Sequence, residues 1–497
     1  MPQNSQQIHG RSADIVIVGG GTAGCLVARS AAERGRHVTI VEPESSDAPD
    51  IDRVRPNRWL RLLGSVEDWG HETASSPQLA GRRMKWPRGK GLGGSSRINA
   101  MIWFPPTDHD FQMIDDLTGN RLGLSGLKQR FQVLTQRIGP ESPRWTSAVC
   151  QRFLDVAQRA ATQADPGPHH PMLYRRFNRS GKRWTSAQLL DAQPLGDGRI
   201  DLVRGQVDRV VLTGDQATGV RLVDGEVIHA RQRVILSAGS IATPTILMRS
   251  GIGDAEHLRA HGIDSIIDLP GVGRGLQDHL IMPMIFSTAP EHQFACVDTP
   301  RDLAQWQAVG GGPIACNIAE CGGLFYDETI QLHVTPTHYL LFPHPKTPPA
   351  MTIGINVTRP LSQGRLRLQS SDPRAMPMID PPYLTNPSDT ETLLRGMRLA
   401  RQIADEMSLA GHEILPGAKR VDDESLIKSI SRYSQTLYHP VGTCGGGNRE
   451  LAVCDDRLFV RNVSGLQIVD ASVFPAIPTG NPSTLVLLLA MLTDDTW

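Results

Sequence analysis

The sequence predicts an α/β protein whose parallel sheet is joined to an α+β region built on an antiparallel sheet. Two observations predict it. Near the N-terminus a β-branched run, a glycine cluster, an alanine-rich helical stretch and a second β-branched run follow one another. Together they fill about 30 residues, the length of one βαβ unit. Between residues 281 and 390 the texture changes to period-two alternation punctuated by prolines, which is the pattern of antiparallel strands.

In chain order, Asp14–Val18 reads as a buried strand, and Gly19-Gly20-Gly21-Thr22-Ala23-Gly24 follows at once. Cys25–Arg34 reads as a helix with Gly35 as its C-cap. His37–Val41 is the second strand, closed by Glu42 and Pro43. Ile200–Val203, Val207–Leu212, Gly219–Val223 and Val227–Ala230 read as short strands, with Asp224-Gly225 as a hairpin turn. Val234–Leu236 is a further strand, leading through Ala238-Gly239-Ser240 into a helix with Pro244 near its start. Gln331–Thr335, Met351–Val357 and Arg365–Leu368 alternate as strands of the antiparallel sheet. Glu391–Met407 is helical, Leu466–Val469 a strand, and Leu485–Leu492 a buried terminal helix.

Composition narrows the function classes. The chain has 497 residues, 39% hydrophobic and 21% charged, an ordinary globular mix. Lys+Arg and Asp+Glu both total 51, so no charge excess points to nucleic acid or an anionic membrane. The longest apolar run, Leu485–Leu492, is far below the ~20 residues of a bilayer span. The segment MPQNSQQIHGRSA lacks the apolar core of a secretory signal. The 7 cysteines (25, 150, 296, 316, 321, 444, 454) show no C-x-x-C and no zinc-ligand spacing. The expectation is a cytoplasmic protein with reduced thiols and no metal.

Two glycine clusters carry chemistry. Gly19-x-Gly21-x-x-Gly24 lies between a strand and a helix, the Rossmann-like arrangement. Its glycines allow a tight turn, close approach to a pyrophosphate, and close helix packing, with the diphosphate on the helix N-terminus. Thr22 and Ala23 belong to the same cradle. Glu42 ends the second strand, where an acid can hold a ribose hydroxyl pair. This unit does not separate FAD from NAD. The second cluster, residues 86–101, holds Arg88, Gly89, Gly91, Gly93, Gly94 and Ser95 before Asn99-Ala100-Met101. A backbone without Cβ atoms there suits a flat or phosphorylated ligand, and Arg88 and Lys90 can add charge.

Residues 86–101 resemble the first signature of the glucose–methanol–choline (GMC) flavoprotein oxidoreductases, and Gly239 to Gly253 resemble the second. Pro270 to His279, Arg359 to Leu384, Tyr438 to Cys444 and Asp470 to Pro482 are similar to further family segments in the same order. The resemblance is greatest to the choline-dehydrogenase-like branch. It implies a Rossmann-like FAD-binding domain (residues 1–104, 195–280 and 430–497) and a substrate-binding domain (105–194 and 281–429). It places the ADP portion of FAD on the first βαβ unit and Glu42, with Val207 at the adenine and Ala238-Gly239 as a further lining turn. It places the flavin near Asn99–Met101, closed by Asp470-Ala471 and Asn481-Pro482. Members with flavin tethered through histidine carry it directly before the asparagine. This chain has Ile98 there, so non-covalent FAD is expected.

The resemblance also assigns His439 and Asn481 to the catalytic pair. Alcohol oxidation needs a proton acceptor for the hydroxyl, which a histidine provides. It also needs a polar partner for the developing alkoxide, which Asn481 provides. The substrate carbon then gives hydride to flavin N5. The expected function is therefore oxidation of a small alcohol to a carbonyl, with oxygen or another electron acceptor and an oligomer both open. A hydroxynitrile-lyase-like or fatty-acid-photodecarboxylase activity on the same fold is the alternative. His169, His170 and His292 read as solvated loop histidines. Cys444 reads as packing, and Cys316 and Cys321 as residues near the substrate cavity. The stretch from Phe104 to Arg152 is short against the family's lid-like region, and the end at Thr493–Trp497 is early; the expectation is a shortened lid, with a more open site, a bulkier substrate or a different oligomer contact as its consequence.

Overall fold

The computed structural model describes residues 11–44, 51–191, 198–295 and 297–493. The first ten residues, Cys296, the boundary expected at 194/195 and the last four residues lie outside the described residues.

The strand Ser12–Val18 is the centre of the first sheet, with Ile15, Val16 and Ile17 fully buried. A strand covered on both faces reads as a continuous apolar run, which is why it was legible. Val38–Glu42 pairs parallel on one side and Ile200–Arg204 pairs parallel beyond it. Val227–Leu236 pairs parallel on the other side, and Leu466–Ile468 pairs parallel with its last residues. The helix Thr22–Glu33 starts three residues earlier than Cys25, capped by Gly21 with no side-chain hydrogen bond. It packs against the terminal helix Ser483–Leu492, of which every residue after Ser483 is buried.

Two expectations need correction here. Val227–Ala230 and Val234–Leu236 form one strand. One edge pairs parallel with Ser12–Val18 from His229 to Leu236; the other pairs antiparallel with Gln216–Leu222 at its start and parallel with Leu466–Ile468 at its end, and exposed Arg231-Gln232 marks that change of partner. Pro244 lies inside the helix Gly239–Arg249 rather than at its start.

The second sheet is antiparallel. Its strands run in the order Glu413–Leu415, Leu280–Ser287, Ala350–Val357, Ile330–Thr335, Cys321–Phe325 and His170–Leu173. Arg365–Leu368 does not belong to it: Gly364–Arg367 pairs with Arg274–Leu276 and Met378–Asp380 in a separate three-stranded sheet. Alternation divides the large sheet into two faces. Ile330 and Ile355 meet the helix Pro387–Met407, where a Cβ on Gly396 would lie 2.3 Å from Ile355 Cγ2. Gln331, His333 and Thr335 point the other way, opposite Asn356, Gly354 and Thr352.

Candidate active site

A cavity of about 470 Å³ runs from the C-terminal ends of the parallel strands to the polar face of the antiparallel sheet. Ligands of open α/β sheets bind beyond those strand ends. At one end the wall holds Gly19, Gly21, Thr22, Ala23 and Glu42, then Val207, Ala238 and Gly239. Arg88, Gly94, Ser95, Asn99, Ala100 and Met101 line its length, and Asp470, Ala471, Asn481, Pro482 and His439 close the other side. Gly24 and Gly93 stand behind the wall. A Cβ on Gly24 would lie 2.0 Å from Gly19 O, so this glycine lets helix and turn touch. Gly93 donates its N–H to Gly20 O at 2.7 Å, joining the two glycine clusters. A Cβ on Gly94 would lie 2.8 Å from Gly21 Cα.

Glu42 makes a second join. Its carboxylate accepts from Gly20 N at 2.7 Å and from Gly91 N at 2.9 Å. Burial pushes its pKa up to about 7, against the pull of those two N–H groups. Asp470 works similarly on the far side, accepting from Gly239 N (2.8 Å), Thr243 Oγ1 (2.6 Å) and Ser472 N (2.8 Å). Arg88 turns inward on the protein: its Nη2 donates to Tyr438 O at 2.5 Å. Tyr438 adopts φ +66° directly before His439, a sparsely populated conformation for a bulky residue.

Hydrogen-bond bookkeeping fixes the state of His439. Thr358 O can only accept, so His279 Nε2, 2.9 Å away, donates to it. Burial lowers the His279 pKa to about 4, so the ring is neutral near pH 7 and its Nδ1 is an acceptor. His439 Nδ1, 2.9 Å away, therefore carries the proton. His439 Nε2 is left with its lone pair, which accepts from Asn481 Nδ2 at 3.1 Å. Burial, then His279, His333 and Arg88, hold the His439 pKa well below the usual histidine value. The buried Asp278 carboxylate accepts from His439 N (2.6 Å), Thr436 Oγ1 (2.6 Å) and Tyr383 Oη (2.5 Å), anchoring the segment.

The structure thus brings His439 and Asn481 together. It adds Asp278, His279 and His333, none of which was singled out as a site residue. The available signals were the Asp278-His279 step within a segment already matched, and the polar alternation Gln331-x-His333-x-Thr335. Two further expectations are corrected. His169 is buried, not solvated, because its ring packs on Phe325 and Tyr326 and its Nδ1 accepts from Tyr326 N. Cys316 and Cys321 are buried outside the cavity wall, and burial pushes both thiols far above their usual pKa.

Comparison with known proteins shows the family. GMC oxidoreductase family models match residues 13–281 and 360–490. The chain is 30% identical to an alcohol dehydrogenase (acceptor) of Pseudomonas putida, covering 96% of this chain and 94% of the relative. It is also 30% identical to an oxygen-dependent choline dehydrogenase of Brucella canis, covering 95% and 94%. The solved pyridoxine 4-oxidase from Mesorbium loti superposes with a TM-score of 0.85 at 26% identity, covering 97% of this chain and 99% of that one. The chain belongs to the GMC oxidoreductase family, whose cofactor is FAD. The residues present fit FAD: the uncapped helix N-terminus offers N–H groups to a diphosphate, and Gly21 and Gly94 keep the wall free of Cβ atoms where the backbones meet.

Proposed function

We propose that this protein oxidises a small alcohol to a carbonyl, with His439 Nε2 accepting the hydroxyl proton and Asn481 Nδ2 stabilising the alkoxide oxygen. The observation that carries this is the hydrogen-bond chain from Thr358 through His279 to His439, which leaves Nε2 unprotonated beside an amide donor. A hydroxyl entering between Nε2 and Nδ2 meets a base and a donor at one point. The low His439 pKa keeps Nε2 unprotonated at neutral pH. Bound FAD supplies the hydride acceptor.

The cofactor is held by the glycine clusters and Glu42 at its ADP portion, and by Asn99–Met101 and Asp470-Ala471 around the flavin. Ile98 directly before Asn99 offers no nucleophile, so the flavin is non-covalent and leaves with denaturation. The division into an FAD-binding part (1–104, 195–280, 430–497) and a substrate part (105–194, 281–429) is supported by the two sheets, each of which contributes one wall of the cavity.

The test is anaerobic mixing of the yellow protein with a panel of primary and secondary alcohols. Loss of the flavin's visible absorbance supports oxidation, and admitting oxygen then separates an oxidase from a dehydrogenase. No loss with any alcohol contradicts the proposal and favours the lyase or photochemical activity.

A further inference from the structure

We propose that the substrate is an uncharged alcohol carrying a second hydrogen-bonding group, which His333 receives, and that quaternary ammonium alcohols are disfavoured. This rests on the alcohol oxidation proposed above and names the class of alcohol.

The first observation is an unfilled polar position. His333 is only 5% exposed and lines the cavity, and among the described residues its Nε2 has no hydrogen-bond partner. Its strand position explains the aim: it sits on the polar face between Gln331 and Thr335, opposite Gly354, where Ile281 packs against the glycine. His333 and His439 line the same cavity. An unpaired buried polar atom is destabilising, and a hydroxyl or amide of the substrate can pair it. The imidazole can donate or accept according to its tautomer, so either kind of group is served.

The second observation is the state of the carboxylates. Among the described residues only Glu42 and Asp470 bring a carboxylate to the cavity wall. Both are taken up: Glu42 by Gly20 and Gly91, Asp470 by Gly239, Thr243 and Ser472. Asp278, behind the wall, is equally engaged by Tyr383, Thr436 and His439. Among the described residues no carboxylate on this wall is left without donors to face a cation. Trp59 and Tyr339 offer rings, while the Trp69 ring already faces Lys90 Nζ at 5.3 Å. A ring contact gains less than the desolvation of an ammonium-sized ion costs.

The test uses two matched pairs on the holoenzyme, read as the anaerobic rate of flavin bleaching against alcohol concentration. Choline and 3,3-dimethylbutan-1-ol share a shape and differ by one charge. The neutral alcohol is expected to exceed choline at least roughly tenfold in limiting rate over apparent dissociation constant; equal or better bleaching by choline overturns the inference and leaves alcohol oxidation standing. Benzene-1,3-dimethanol and 3-methylbenzyl alcohol differ by one hydroxyl. The diol is expected to bind more tightly, and His333→Phe to erase the difference while His333→Asn keeps part of it. A preference untouched by His333→Phe overturns the assignment to His333. FAD content confirms that each variant is folded. Failure of every alcohol to bleach the flavin overturns alcohol oxidation and this inference together.

Discussion

Asn481 Nδ2 stands 3.1 Å from His439 Nε2, although 42 residues separate them in the chain. Each arrives on its own support. His439 follows the left-handed Tyr438 and is tied through its N–H to Asp278, while Asn481 immediately precedes Pro482, the N-cap of the terminal helix. Because the amide donates to the ring nitrogen, the same amide is placed to donate to an alkoxide at that point. Asn481→Ala is expected to slow flavin reduction by about 10²-fold with FAD retained. A loss confined to substrate affinity contradicts the role in stabilising charge.

His279 acts through His439 and is a positioning residue. His279→Leu removes the acceptor that holds the proton on His439 Nδ1. Flavin reduction is expected to fall by about tenfold, and the ¹⁵N shifts of His439 are expected to show a mixture of tautomers. His279→Asn, which can still accept near the Nδ1 position, is expected to restore part of both. Unchanged ¹⁵N shifts in His279→Leu contradict the tautomer argument whatever happens to the rate.

The same residue links stability to pH. Its pKa is about 4 when folded, against 6.5 as its ordinary value, because burial opposes the charge. The unfolded chain therefore binds the extra proton between those values. The His279 contribution is level above pH 6.5 and becomes increasingly unfavourable as pH falls to about 4, reaching about 3 kcal/mol. In His279→Asn the stability of the holoenzyme is expected to fall less steeply across that window, by close to one proton. Denaturant titrations at several pH values read this directly, and parallel curves for the two proteins contradict it.

Glu42 joins the two glycine clusters rather than only facing a ligand. Glu42→Gln keeps the shape but replaces one acceptor oxygen with an NH₂, leaving Gly20 N or Gly91 N unpaired. The cost of about 1–3 kcal/mol is expected to appear as weaker FAD binding, by about tenfold or more, measured by flavin release on dilution. Unaltered FAD affinity contradicts the bracing role.

Local chemistry made the βαβ unit legible. Ile15, Val16 and Ile17 announce a strand buried on both faces, and Gly19, Gly21 and Gly24 announce the turn that follows. The pair His439 and Asn481 was legible only through resemblance, since a histidine between Tyr438 and Pro440 has no local signature of catalysis. His279 and His333 were not legible because their roles arise from pairing: one from a carbonyl 79 residues away at Thr358, the other from strand register opposite Gly354. The single strand Val227–Leu236 was hidden for a related reason, because its charged middle reads as a break until both partners are in place.

If His439 is the proton acceptor, its loss shows in the anaerobic rate of flavin reduction in His439→Ala at saturating alcohol. The structure predicts a fall of about 10²-fold or more with FAD content unchanged, because the base is gone while the cofactor cradle is intact. A rate close to that of the unaltered protein would contradict the assignment.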